Sequence, residues 1–201
     1  MDSLRAVALN CTLKRSPEKS STDLLCSQIA AAFRGHDVEM ETIRIVDRRI
    51  AEGVTSDEGQ GDEWPSVRRR ILDADIVLIA TPIWLGNPSS VCRKVFERMD
   101  AFLGEQDTQG RPIASGRVGV VATVGNEDGA HNVGAQAFQA LSDVGFTVPA
   151  GGQAYWVGEA MGSVDYRDLD EVPKKVAETI ATLTANAAHL ARLLSHHPYP
   201  A

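Results

Sequence analysis

The segment Ala74-Asp75-Ile76-Val77-Leu78-Ile79-Ala80 constrains this chain most. Four consecutive apolar residues leave no polar face, so a strand built from them has to be covered on both sides. The helices that such a sheet needs are supplied in turn along the sequence. Leu4 to Leu9 reads as a first strand, Thr22 to Phe33 as a helix, Val38 to Val46 as a second strand and Trp64 to Leu72 as a short helix. After the strand ending at Ala80 come a helix from Ser89 to Phe102, a fourth strand from Arg117 to Val124 and a helix from Ala130 to Val144. Phe146 to Trp156 holds a fifth strand, and a last helix runs from Pro173 to Leu194. Strands and helices in alternation predict an α/β fold, a doubly wound five-stranded parallel sheet with right-handed crossovers and helices on both faces. With 201 residues, 43% of them hydrophobic and no break in composition, one domain is expected over 1–195 and a disordered tail over 196–201.

Several function classes are disfavoured. The formal net charge is −7 and no predicted face gathers basic side chains, so nucleic acid is not an expected partner. No apolar run approaches the roughly 18 residues of a membrane span, and MDSLRAVALN lacks a signal-peptide pattern. The expectation is a cytoplasmic protein without a membrane partner. Cys11, Cys26 and Cys92 are widely spaced and form no Cys-x-x-Cys pair, which argues for buried small residues over a disulfide framework or an iron–sulfur site. His196 and His197 are too few to predict a metal site. The acidic stretch EGVTSDEGQGDEW, from Glu52 to Trp64, reads as a mobile solvated loop.

In doubly wound sheets ligands bind beyond the carboxyl ends of the strands, where the strand order reverses. The loops after the first, third and fourth strands therefore carry the functional information. The first, NCTLKRSPEKSSTDLL, brings the hydroxyls of Thr12, Ser16, Ser20, Ser21 and Thr22 and the cations Lys14, Arg15 and Lys19 to the start of a helix, whose first N–H groups are unpaired. Neither a dinucleotide fingerprint nor a P-loop is present. Capping by Ser21 or Thr22 is the structural alternative, but five hydroxyls exceed what one cap needs. The second loop begins TPIWLGNPSS at Thr81 and offers an apolar aromatic surface beside a backbone opened by Gly86. The third, TVGNEDGAHNVGAQAF from Thr123, has Gly125 and Gly129 for close backbone approach and Asn126, Asp128 and His131 as donors and acceptors. Here Asn126 or Asp128 capping the next helix, with His131 in its solvated first turn, is the competing reading.

Thr-Pro-Ile-Trp-x-Gly-Asn-x-Ser-Ser with its helix Glu-Arg-Met-Asp, followed by Gly-Asn-Glu-Asp-Gly-Ala-His, resembles the flavodoxin-like NAD(P)H-dependent FMN reductase family over nearly the whole chain. The resemblance implies noncovalent FMN. Its phosphate would lie on Thr12, Lys14, Ser20, Ser21 and Thr22, and its ring against Pro82, Ile83, Trp84, Leu85, Gly86 and Asn87. Backbone N–H groups around Gly86 and Asn87 would face the reactive edge, so a side chain at residue 86 would intrude. Thr123, Gly125, Asn126, Asp128 and Gly129 would close the other edge. His131 is a further candidate, either for charge on the reduced ring or as a helix-surface residue. No catalytic side chain and no metal are implied, because the cofactor carries the electrons.

The implied reaction takes electrons from NADPH or NADH to a small acceptor: a quinone, a nitro or azo compound, or free flavin. The alternative is a flavodoxin-type carrier serving a protein partner. A receiver-like regulatory domain is disfavoured, because Asn10, Cys11 and Thr12 end the first strand instead of an acidic metal pocket. Assembly as a homodimer or homotetramer is expected from the resemblance and from Trp64, Tyr155 and Trp156 as candidate interface anchors, with a wall of the flavin or substrate pocket as the alternative place for Tyr155 and Trp156.

Overall fold

The computed structural model describes residues 3–200. Met1 and Asp2, in the segment inspected for a targeting signal, and Ala201 of the expected tail lie outside the described residues. In chain order the elements are β1 (Leu4–Asn10), α1 (Ser21–Arg34), β2 (Val38–Arg44), α2 (Trp64–Asp73), β3 (Ile76–Trp84), β4 (Asn87–Pro88), α3 (Ser90–Met99), β5 (Val118–Gly125), α4 (Ala130–Asp143), β6 (Gln153–Val157) and α5 (Lys174–His196). The sheet runs β2-β1-β3-β5-β6, all parallel. Counting those five strands alone, the order is 2-1-3-4-5, the flavodoxin-like arrangement, with its reversal between β1 and β3.

Burial on both faces follows the two-residue period of the strands. In β3, Ile76, Leu78 and Ala80 face α1 and α5, while Val77 and Ile79 face α2, α3 and α4. β1 does the same with Ala6 and Ala8 on one side and Val7 and Leu9 on the other. Helix α5 lays Val176, Ile180, Leu183, Ala187, Ala191 and Leu194 on the sheet, spaced by threes and fours as one helical stripe requires. It runs to His196, and beyond it the Thr147 hydroxyl donates to the Tyr199 phenol at 3.4 Å.

Two departures from expectation matter for the site. β3 continues four residues past Ala80 to Trp84, and the chain then folds back so that Ile83 and Trp84 pair antiparallel with Pro88 and Asn87. Leu85 and Gly86 make the turn in left-handed conformations, φ 50° and 70°. The TPIW motif is thus a strand extension held out past the sheet.

The second departure is the acidic stretch, which is tied down. Arg98 of α3 is 0% exposed by its side chain and Asp62 is 1% exposed, with 2.8 Å between them. Arg98 also donates to the carbonyls of Ala51 and Thr55 and lies 5.7 Å over the Trp64 ring. Asp62 accepts from the amides of Ala51, Glu58 and Trp64. A solvated loop was expected because its side chains are charged; one buried ion pair with its hydrogen bonds instead makes it a folded unit. Trp64, expected among the interface anchors, is 0% exposed in the core beneath that pair.

Candidate functional site

The first loop is shaped by residues the sequence motif did not mark. Ser20, not Ser21 or Thr22, caps α1, its hydroxyl accepting from the Asp23 amide at 3.1 Å. Asp23 would put a negative charge into the cradle, but Arg44 at the end of β2 pairs with it at 2.9 Å and Asn10 donates to it at 3.0 Å. Arg44 also donates to the carbonyls of Lys14 and Glu18, fixing the loop from below. Ser16 binds Asp47 through its amide and hydroxyl, and those hydrogen bonds hold the Asp47 carboxyl below its ordinary range. Thr22 is buried, and among the described residues its hydroxyl has no hydrogen-bond partner and the amides of Ser21 and Thr22 are not donated. A capped helix start with unspent donors is a fit floor for an anionic group.

This floor opens into a cavity of about 510 Å³, within the roughly 300–1,000 Å³ of small-molecule sites. Thr12, Leu13, Lys14, Ser20, Ser21 and Thr22 line one end. Pro82, Ile83, Trp84 and Leu85 make one wall, and Val124, Gly125, Asn126 and Glu127 another. Trp156, Met161 and Asp165, from β6 and the segment after it, complete the lining. A second hollow of about 530 Å³ beside α4, with Phe138, Phe146 and Tyr199, is lined by no charged side chain among the described residues.

Six expected contacts lie off this lining. Thr123 is buried within β5, where its hydroxyl accepts from Gln153. Asn87 turns toward α4 and accepts from Gln136 at 3.3 Å. Asp128 is exposed. His131, in the exposed first turn of α4, pairs with the Tyr155 hydroxyl at 3.2 Å, on the opposite face of β6 from Trp156. At Gly86 the nearest protein neighbour to an added side chain is the Asp128 carbonyl at 3.8 Å, so within the protein itself the position demands left-handed backbone and not clearance. Gly129 is the opposite case. A β-carbon there would stand 2.6 Å from the Gly86 α-carbon, because the second and third loops touch backbone to backbone.

Of the amides expected to face a ligand, around Gly86 and Asn87, that of Gly86 is engaged: Glu127 takes it at 3.3 Å together with the neighbouring Leu85 amide at 2.9 Å. Neither Asn126 nor Asp128 caps α4; Gly129 occupies that position without a side-chain bond. The Asn126 amide donates instead to the Gly162 carbonyl and to Asp165, drawing the post-β6 segment over the cavity.

Sequence reasoning missed Leu13, Val124, Glu127, Met161 and Asp165 and left Trp156 undecided. Glu127 sits inside the GNEDGAH motif, which was the available signal; Met161 and Asp165 come from a loop with none. Behind the floor, Cys11, Cys26 and Cys92 are all buried. Burial raises Cys11 well above the ordinary thiol value and pushes Cys26 up to about 12.

A family model described as NADPH-dependent FMN reductase matches residues 4–161. The chain belongs to that family. Membership supports an FMN-dependent oxidoreductase, in agreement with a cavity that joins an anion-ready floor to an apolar wall. The 8-demethyl-8-aminoriboflavin-5'-phosphate synthase of Streptomyces davaonensis is 33% identical over 209 residues, covering 98% of this chain and 80% of that protein. A Mycobacterium bovis protein named divalent metal cation transporter MntH is 38% identical over 200 residues; they cover 96% of this chain but only 29% of that protein. The crystal structure of RosB with bound intermediate 8-demethyl-8-formylriboflavin-5'-phosphate matches with a TM-score of 0.89 and 31% identity, covering 98% of this chain and 82% of that one. An archaeal flavodoxin, at a TM-score of 0.59 and 10% identity, shares the fold. Among the described residues no helix is long and apolar enough to cross a membrane.

Proposed function

We propose that the chain binds FMN noncovalently in the 510 Å³ cavity and moves electrons from NADPH or NADH to a small acceptor such as a quinone, a nitro or azo compound, or free flavin. The carrying observation is that one cavity joins unspent hydroxyl and amide donors at the start of α1 to the outward wall Pro82–Leu85. Bound FMN supplies the hydride and electron chemistry. The residues supply placement. Thr12, Lys14, Ser20, Ser21 and Thr22 hold the phosphate, Arg44 keeps Asp23 from repelling it, and Trp84 and Leu85 exclude water from the ring. No side chain is assigned proton transfer.

The test is a titration of the purified protein with FMN and riboflavin, followed by NADPH and NADH oxidation with a quinone. Tighter FMN than riboflavin and steady turnover are expected. Equal affinities would remove the phosphate reading, and flavin binding without steady NAD(P)H oxidation would leave the flavodoxin-type carrier.

A second reading has the flavin phosphate itself as substrate. The likeness to a flavin-phosphate synthase over 98% of this chain favours it, and mass spectrometry of flavin recovered after turnover decides it. Leu13, Trp84, Leu85 and Met161 expose apolar surface around the cavity mouth, and a second copy of the chain is the proposed cover, as a homodimer or homotetramer. Light scattering in dilute solution checks this; a monomer at every concentration would refute it.

A further inference from the structure

Glu127 is the cavity-lining carboxylate whose bonds go to the backbone of the opposite wall. Its two oxygens take the successive amides of Leu85 and Gly86, which converge on it across the left-handed Leu85. Two converging N–H groups make a concavity suited to an acceptor with negative character. Left-handed backbone is unfavourable for leucine by roughly 1–2 kcal/mol, and packing does not offset it here, since the Leu85 side chain is 89% exposed. The turn presents donors at a cost, and Glu127 occupies them. Among the described residues no cation pairs with this carboxylate.

We infer that Glu127 is a positioning residue that holds the Leu85 and Gly86 donors in the ligand-free protein and yields them to an acceptor edge of the flavin ring. The inference rests on the FMN reading above and names which group the flavin displaces. Carboxylate and ring edge compete for one pair of donors, so apparent affinity falls by the fraction of molecules in which the pair is free. With donors free in a tenth of molecules, the loss is about tenfold, comparable to one net charge-assisted hydrogen bond. Competition of this kind acts on the ring and is blind to the phosphate. Simple repulsion between Glu127 and the ligand would act chiefly on FMN.

The experiment titrates FMN and riboflavin into the wild type, Glu127→Ala, Glu127→Gln and Glu127→Asp, and follows amide hydrogen exchange at Leu85 and Gly86 by NMR. Ala, and Asp, which is one methylene too short to span the gap, should each bind both flavins about tenfold more tightly. Their two amides should exchange faster in the free protein and regain protection when FMN is added, with Gln intermediate. Unchanged or weaker flavin affinity in Glu127→Ala overturns the inference. So does a gain confined to FMN and to the uncharged variants, which is repulsion. If the wild type and every variant bind neither flavin, the FMN reading falls and this inference with it; if the wild type binds FMN and no variant binds it better, this inference alone falls.

Discussion

The two ends of α3 serve regions built on opposite principles. At its carboxyl end Arg98 gathers the acidic stretch into a knot in which charges and carbonyls are spent on one another. At its amino end Ser89 caps the helix, donates to the Cys11 carbonyl and so joins the floor of the cavity to the second loop. Beyond that cap the chemistry inverts. Trp84 is 54% exposed and Met161 96% exposed, while hydroxyls and amides under them remain undonated. A loop of charged letters turned out to be structural and a loop of apolar letters to be a rim. What separates them is where their polar groups find partners, because buried polar groups without partners are costly and exposed apolar ones persist when something is to cover them.

The contrast can be broken most severely at the knot. Arg98→Ala leaves Asp62 buried without its counter-charge, and a loss of about 3–5 kcal/mol in urea-unfolding stability is expected. Acid tests the same pair. Burial alone would raise the Asp62 carboxyl, but the amides of Glu58 and Trp64, the Arg98 guanidinium and the Ala51 amide outweigh it and lower it below 3.8. A carboxyl lowered on folding stabilises the fold fully above that ordinary value and loses its contribution as pH falls through the folded one. Unfolding midpoints should therefore drop below about pH 4, and drop less in Asp62→Asn, which is already destabilised at neutral pH.

Substitutions at the rim should spare the fold and strike binding. Gly129→Val is the exception, because it drives a side chain into the Gly86 backbone at a position of left-handed φ, 129°; thermal stability should fall as the second and third loops separate, and FMN affinity with it, by tenfold or more, about 1.4 kcal/mol. Thr22→Ala removes a hydroxyl with no partner in the free protein, so stability should hold while FMN binding weakens by 1.5–3 kcal/mol, roughly tenfold to a hundredfold, and riboflavin binding stays unchanged. A loss of stability without a change in FMN affinity would make Thr22 part of the scaffold. Trp84→Ala should have the smallest effect, a few-fold weakening of both flavins in fluorescence titration, because Pro82, Ile83 and Leu85 keep part of the wall.

The sheet and its helices were legible because Ile76-Val77-Leu78-Ile79 and the helical stripes carry strong periodicity, and the positions of the three loops follow from strand order. Boundaries slipped where tertiary pairing overrode local pattern. Proline and glycine made the segment after Ala80 read as loop, yet Ile83 and Trp84 found strand partners in Pro88 and Asn87. The knot was illegible because Arg98 and Asp62 are 36 residues apart, and nothing local distinguishes a charge about to be buried from one bound for solvent. Within the site, the cradle residues Thr12, Lys14, Ser20, Ser21 and Thr22 and the wall residues Pro82, Ile83, Trp84 and Leu85 fall on one cavity, whereas Gly86 and Asn87 lie off its lining. Which of two adjacent residues faces in was not legible: Glu127 lines the cavity and Asp128 does not, a matter of loop geometry that composition leaves open.

The cysteines behind the floor carry one more implication, for life in air. Reduced flavin left open to dioxygen yields hydrogen peroxide, and a protein that releases it meets that oxidant first. Only the thiolate reacts readily with it. Cys11 and Cys26 are buried and kept in the protonated form, and Cys92 is shielded from solvent beside them. Titratable thiol content should survive prolonged aerobic turnover, and inactivation on storage should have some other chemical cause.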